Sequence, residues 1–256
     1  MEKRSFWITI SLVILAAGSS WAGRPLTVDD AGIIAAKQIQ TEWGVSLAKA
    51  PEGGKFWACP PTLSVGLYDR LQLGLGCAWS REEAEGVDPV SGLGDLGAFA
   101  KIHWLDEKNG LPALATTFSL TFPTASQDKG LSTGKSDFDA LLILTKGFGP
   151  VSGSLNAGYT VVGKPEGVSL RNVFHGGGAF EWPFSRKASF VGEVFGVASP
   201  DSGAPTEWQV NLGLRFFPAP WAMLDCALGR GLRDTDPDFT ATAGITFTFP
   251  VKAEEK

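Results

Sequence analysis

The chain has 256 residues and a formal net charge of -5, from 22 Lys and Arg against 27 Asp and Glu. This acidic balance argues against nucleic acid as a partner. With 32 Gly and 16 Pro placed where turns are wanted, almost no helical patterning and only three Cys, the composition excludes a helical bundle and a disulfide scaffold and points to one all-β domain.

The chain opens with Lys3 and Arg4, then an apolar run from Phe6 to Ala17, then Gly18-Ser19-Ser20-Trp21-Ala22. A charged start, a short apolar stretch and a small-x-small site predict a signal peptide over residues 1–22, cut after Ala22. Its removal takes away one acid (Glu2) and two bases, moving the formal charge from -5 to about -6. No later stretch approaches 18 consecutive apolar residues, so any membrane crossing must be made of strands. Residues 23–36 form a lead segment that passes from polar to apolar and is expected to act as a lumen plug.

Residues 37–249 predict an antiparallel up-and-down transmembrane β-barrel of twelve strands, each alternating with a period of two. The first, Lys37–Leu47, places Glu42 opposite Trp43 and Val45. The second, Ala58–Tyr68, and the third, Arg70–Ser80, are joined by a tight hairpin at Asp69. Cys59 and Cys77 flank that hairpin almost symmetrically. They are expected either to form a cross-strand disulfide or to remain free and face lipid. The fourth strand, Leu93–Leu105, sets Asp95, Lys101 and His103 against Leu96, Ile102 and Trp104. The fifth, Leu111–Phe122, has small residues on its wet side, leaving room for Lys101 to pair with Asp95 or Asp139 across it.

Ser136–Lys146, the sixth, carries Asp137 and Asp139. Ser152–Val162 is the seventh. Leu170–Trp182 carries Arg171, His175 and Glu181, and Arg186–Ala198 carries Lys187 and Glu193. Glu207–Phe217 alternates without a break, with Glu207, Gln209, Asn211 and Arg215 facing one way and Trp208, Val210, Leu212, Leu214 and Phe216 the other. Trp221–Gly231 and Phe239–Phe249 complete the set, and residues 250–256 form a charged tail. Turns after even-numbered strands are short, and links such as Arg81–Gly92 and Pro123–Lys135 are longer. This asymmetry is the habit of outer-membrane barrels, as are Trp57, Trp79, Trp104, Trp182 and Trp221 near strand ends.

The expected lumen lining is Glu42, Arg70, Asp95, Lys101, His103, Asp137, Asp139, Arg171, Glu181, Lys187, Glu193, Glu207 and Arg215. Its signs are interleaved, which predicts little preference between anions and cations. No nucleophile stands in a recognisable catalytic context, and His103 and His175 are too few and too far apart for a metal site. The expectation is therefore no catalytic residue, no metal and no cofactor.

Several segments resemble the MetA-pathway of phenol degradation family of Gram-negative outer-membrane proteins. They are Pro25-Leu26-Thr27-Val28-Asp29-Asp30-Ala31-Gly32, Gly92-Leu93-Gly94-Asp95-Leu96, Ala100-Lys101, Pro112–Pro123, Thr145-Lys146, Asn156-Ala157-Gly158-Tyr159 and Gln209–Arg215. The order and spacing of these short motifs span nearly all of residues 23–249. The resemblance implies a cell outer-membrane transporter associated with small, often aromatic, hydrophobic compounds. Two features depart from the pattern: the last strand is followed by Pro250 and a charged tail, and Cys59-Pro60-Pro61 interrupts the second strand.

Three readings follow: a passive, porin-like outer-membrane channel, a structural or adhesion-type barrel without transport, and a soluble periplasmic lipid-binding barrel. The expected partners are outer-membrane lipid, a small-molecule solute and, during insertion, the barrel assembly machinery, with the protein itself a monomer.

Overall fold

The computed structural model describes residues 23–51 and 53–251; the expected signal peptide at 1–22 and tail residues 252–256 lie outside the described residues. Thirteen strands follow in chain order: β1 (Gln38–Lys49), β2 (Lys55–Cys59), β3 (Thr62–Tyr68), β4 (Leu71–Ala84), β5 (Val87–Leu105), β6 (Ala113–Phe122), β7 (Asp137–Phe148), β8 (Val151–Val161), β9 (Val173–Ser185), β10 (Ala188–Val197), β11 (Glu207–Ala219), β12 (Ala222–Gly231) and β13 (Phe239–Pro250). Each pairs antiparallel with its neighbours. β13 returns to β1 along its whole length, from Gln38 opposite Pro250 to Lys49 opposite Phe239. Closure leaves no unpaired edge.

The thirteen strands make twelve staves, because β2 and β3 share one: both lie between β1 and β4. Pro60 and Pro61 divide it. Neither has an N–H to give to the ladder, so pairing stops on one side of them and resumes on the other.

Two predicted links are shorter than expected. β2 starts at Lys55, reducing the first loop to residues 50–54, and the expected loop Arg81–Gly92 is mostly strand, with β4 and β5 turning at Glu85-Gly86. Gly86 has φ 75°, which suits a tight hairpin. Arg81, Glu82 and Glu83 carry no apolar alternation, because this extension rises beyond the apolar belt and is wet on both faces.

The two faces of the wall differ as the alternation requires. Leu75, Leu212, Leu214 and Leu228 are exposed on the outside, whereas Gln72, Lys101, Glu193, Gln209, Asn211 and Asp225 are buried on the inside. Trp104, Trp182 and Trp221 stand near the short-turn rim and Trp57 and Trp79 toward the other, all exposed. An apolar exterior bounded by aromatics around a polar interior is the arrangement of a barrel surrounded by lipid. The soluble lipid-binding barrel needs the opposite, an apolar lumen under a polar surface, and is overturned by this distribution.

Candidate functional site: a lumen divided by the lead segment

Residues 23–36 form neither helix nor strand. A chain without its own ladder must find partners for its backbone polar groups, and here the inward side chains of the wall supply them. Arg215 donates to Gly23 O at 2.6 Å and to Arg24 O at 2.8 Å, and is held in turn by Glu181 at 2.5 Å. Glu193 accepts from Thr27 N and Val28 N, the latter at 2.6 Å, while Asn211 donates to its other oxygen at 2.6 Å. Asn156 bonds Asp29 twice, accepting from its N–H and donating to its carbonyl, each at 2.8 Å. Ala31 N donates to Thr145 Oγ1 at 2.8 Å and Ile34 N to Gln72 Oε1 at 3.0 Å.

Ion pairs reinforce this path. Arg24 meets Asp225 at 3.2 Å and Lys101 meets Asp29 at 2.7 Å. Lys101 also donates to Asp30 O at 2.7 Å, and its residue is 5% exposed. Ala31, 1% exposed, packs on Ala115 and Ile143 of the inner wall. Close approach explains one glycine: a Cβ on Gly66 would stand 2.1 Å from the carbonyl oxygen of Ala35.

Of the predicted lining, Lys101, His103, Glu193 and Arg215 touch the lead segment directly, and Glu181 does so through Arg215. Glu42 faces inward on β1 within the field of Arg24 and Asp225. Asp95 turns to the long β6–β7 loop, accepting from Ala125 N at 2.9 Å and Ser132 Oγ at 2.8 Å. It therefore does not pair with Lys101, whose partner comes from the middle of the lumen rather than from across β6. Asp137 accepts from Gly163 N at 2.8 Å, and Asp139 accepts from Thr160 at 2.8 Å and from His175 Nε2 at 2.7 Å. Glu207 has one buried carboxylate oxygen with no hydrogen-bond partner.

Three predicted residues lie at the rims instead. Arg70 sits in the β3–β4 turn and binds Asp106 at 2.7 Å. Hydrogen bonds from Arg70 and then from His103 hold the Asp106 carboxyl below the usual carboxylate range. Arg171 precedes β9 and donates to Ser199 O and Ala204 O, and Lys187 is exposed in the β9–β10 turn. The last two were placed in strands that begin later than their apolar pattern suggested.

Of the two alternatives for Cys59 and Cys77, a cross-strand disulfide or free thiols, the structure has the second, and Cys226 is free as well. Cys59 lies opposite Trp79, because β2 and β3 keep one register against β4 that centres the hairpin on Asp69, and Cys77 therefore sits two residues away from the position facing Cys59.

Sequence reasoning missed Arg24, Asp29, Asn156 and Asp225. Asp225 had a legible signal, as Met223, Asp225, Ala227 and Gly229 share the inward parity of β12. Asn156 had the same kind of signal, sharing the inward parity of β8 with Gly158 and Thr160, whereas Arg24 and Asp29 lie in the lead segment, which has no period to read.

The lead segment does not fill the barrel. The strand ends nearest the long loops enclose a cavity of about 230 Å³, with Pro25, Thr27, Val28 and Asp29 as its floor. Its walls combine apolar groups (Leu141, Val162, Val173, Phe195) with Asp137, Asp139, His175 and Asn156. Among the described residues, no Lys or Arg lines it. Among the described residues, no group of three or more His, Cys, Asp or Glu is placed to hold a metal ion.

The family model described as "Putative MetA-pathway of phenol degradation" matches residues 60–249. Comparison with curated proteins finds no match. Among solved structures, the chain is similar to an outer membrane channel from Pseudomonas putida F1, at 16% identity and a TM-score of 0.65, covering 85% of this chain and 97% of that one. It is also similar to the KdgM porin, at 9% identity and a TM-score of 0.56, covering 82% and 99%. The translocator domain of the autotransporter NalP from Neisseria meningitidis gives 13% identity and a TM-score of 0.57, covering 97% and 98%. At these identities the likeness is one of fold.

Proposed function

The chain belongs to the MetA-pathway of phenol degradation family, and we propose that it is an outer-membrane channel through which a small, weakly polar solute passes by diffusion. One observation carries this reading: the lumen holds a cavity of about 230 Å³, of mixed polarity, above a floor made by a segment that is not part of the wall. A purely structural barrel has no need of such a space. Twelve staves lie between the eight strands that side chains just fill and the sixteen or more that leave a wide aqueous pore. The lead segment acts as the plug that narrows the route, held by side-chain contacts and not by a strand ladder. The belt is solvated by outer-membrane lipid, insertion uses the barrel assembly machinery, and closure of β1 on β13 suits a monomer.

The test is liposome swelling with a sugar, an amino acid and a phenolic compound, comparing wild type with Lys101→Ala, which removes one tether of the plug. The expected result is measurable entry of the phenolic compound through wild type and faster entry of all three through the variant. If neither protein admits any solute above empty liposomes, the channel reading falls and the structural barrel replaces it.

A further inference from the structure

The charges that reach the cavity are not the interleaved set the strands suggested. Arg70, Arg171 and Lys187 are at the rims. Arg215 is bound to Glu181 and the lead segment, and Lys101 to Asp29 and Asp30. The two inward cations that remain are thus turned toward the floor and already partnered. Besides Asp29 in the floor, which Lys101 already holds, what faces the cavity is Asp137 and Asp139 at the start of β7, with His175 beside Asp139. Each carboxylate offers about four acceptor positions. Asp137 accepts one hydrogen bond, from Gly163 N, and Asp139 accepts two, from Thr160 and His175.

A second observation points to the same wall. Thr117 lines the cavity, is 4% exposed, and its hydroxyl has no hydrogen-bond partner. It lies on β6 opposite Leu141, and the next inward residue, Ser119, lies opposite Asp139. A buried hydroxyl without a partner is destabilising, so a donor that reaches it from the cavity gains what the empty protein forgoes. On the staves that follow β7 stand Val162, Val173 and Phe195, which offer contact to an apolar body and no charge.

We propose that this cavity is a binding site for a small organic cation, an ammonium group carried on an aromatic or short aliphatic body. The ammonium lies against Asp137, Asp139 and Thr117, the body lies against the apolar wall, and carboxylates of the same shape are disfavoured. An ammonium brings three donors and a positive charge to a wall that presents acceptors and negative charge. The apolar wall and the small volume argue for a single ring over a hydrated metal ion. The proposal rests on the channel reading and names the solute class of that same lumen.

The test uses three compounds of one shape: 2-phenylethylamine, 2-phenylethanol and phenylacetate. Binding to the intact, detergent-folded barrel is measured by calorimetry at about pH 8, where an ordinary alkylamine is charged and an ordinary imidazole neutral. The expected order is amine, then alcohol, then acid, with the amine at least about tenfold tighter than the acid. Asp139→Asn should reduce that ratio to about threefold or less, with folding checked by heat-modifiability on a gel. Equal binding of amine and acid, or no binding of the amine, overturns the inference, and the wild-type series alone decides this if the variant does not fold. Entry of the same compounds into liposomes separates the two claims. Binding of the amine without entry leaves the site and sinks the channel, whereas entry of all three at equal rates leaves the channel and sinks the site.

Discussion

The lower and upper halves of the lumen are built from the same alternating strands and have opposite contents. Toward the short turns, inward side chains converge on the lead segment: Asp225 on Arg24, Glu193 on Thr27 and Val28, Lys101 on Asp29, Gln72 on Ile34. Toward the long loops, inward groups bond to loops or to each other, as Asp95 does to Ala125, Asp137 to Gly163 and Asp139 to His175, and a cavity is left between them. Period-two patterning thus specifies a wet face without specifying what wets it. A peptide and a solute compete for the same kind of surface, and the side chains decide the level at which one gives way to the other.

The largest effect that tests this division is at Lys101. The pair with Asp29 is 2.7 Å long, with both side chains 6% exposed. Removing one partner of a buried pair leaves an uncompensated charge and costs about 3–5 kcal/mol. Lys101→Ala should lower the unfolding free energy of the barrel in lipid vesicles by that amount, read as a fall in its urea midpoint. Adding Asp29→Asn should recover more than half of the loss, because the stranded charge is then gone. Equal loss in the single and double variants would mean that Lys101 acts on the wall and not through the lead segment.

A smaller effect is expected at Gly66. An added Cβ would stand 2.1 Å from Ala35 O and 2.5 Å from Ile34 O, and both are backbone atoms that move only with the segment. Gly66→Ala should cost about 1–3 kcal/mol, as overpacking does, and should speed solute entry by loosening the plug where it joins β1. Unchanged entry with lowered stability would place the plug's constriction elsewhere along its path.

How far the division was legible in the sequence follows from the same physics. The wall was, because lipid outside and water inside impose a period of two: Trp208 through Phe216 reads out its two faces residue by residue. The extension at Arg81–Glu83 was not, since it is wet on both sides and no contrast is encoded there. The Pro60-Pro61 break was visible as a disturbance, yet its consequence, a stave in two pieces that keep one register against β4, depends on pairing that the alternation does not encode. The partners of Lys101 and Arg24 were least legible. Asp29 lies 72 residues from Lys101, and Asp225 lies 201 residues from Arg24. A segment with no regular structure carries no pattern from which such distances can be read.

The smallest effect, and the one with the opposite sign, is expected at Thr117 in the upper half. In the lower half nearly every inward polar group has a partner, so removing one destabilises. Thr117 Oγ1 is buried without one. Replacing it by a methyl group of the same shape removes an unsatisfied hydroxyl and leaves the packing against Leu141 in place. Thr117→Val should therefore be neutral or stabilise the empty barrel by up to about 1 kcal/mol, read as a rise in the urea midpoint. A drop of that size would show that the hydroxyl has a partner in the folded protein, such as an ordered water, and that the wall of the cavity is as fully satisfied as the floor. The two halves would then differ only in which molecule, peptide or water, fills them.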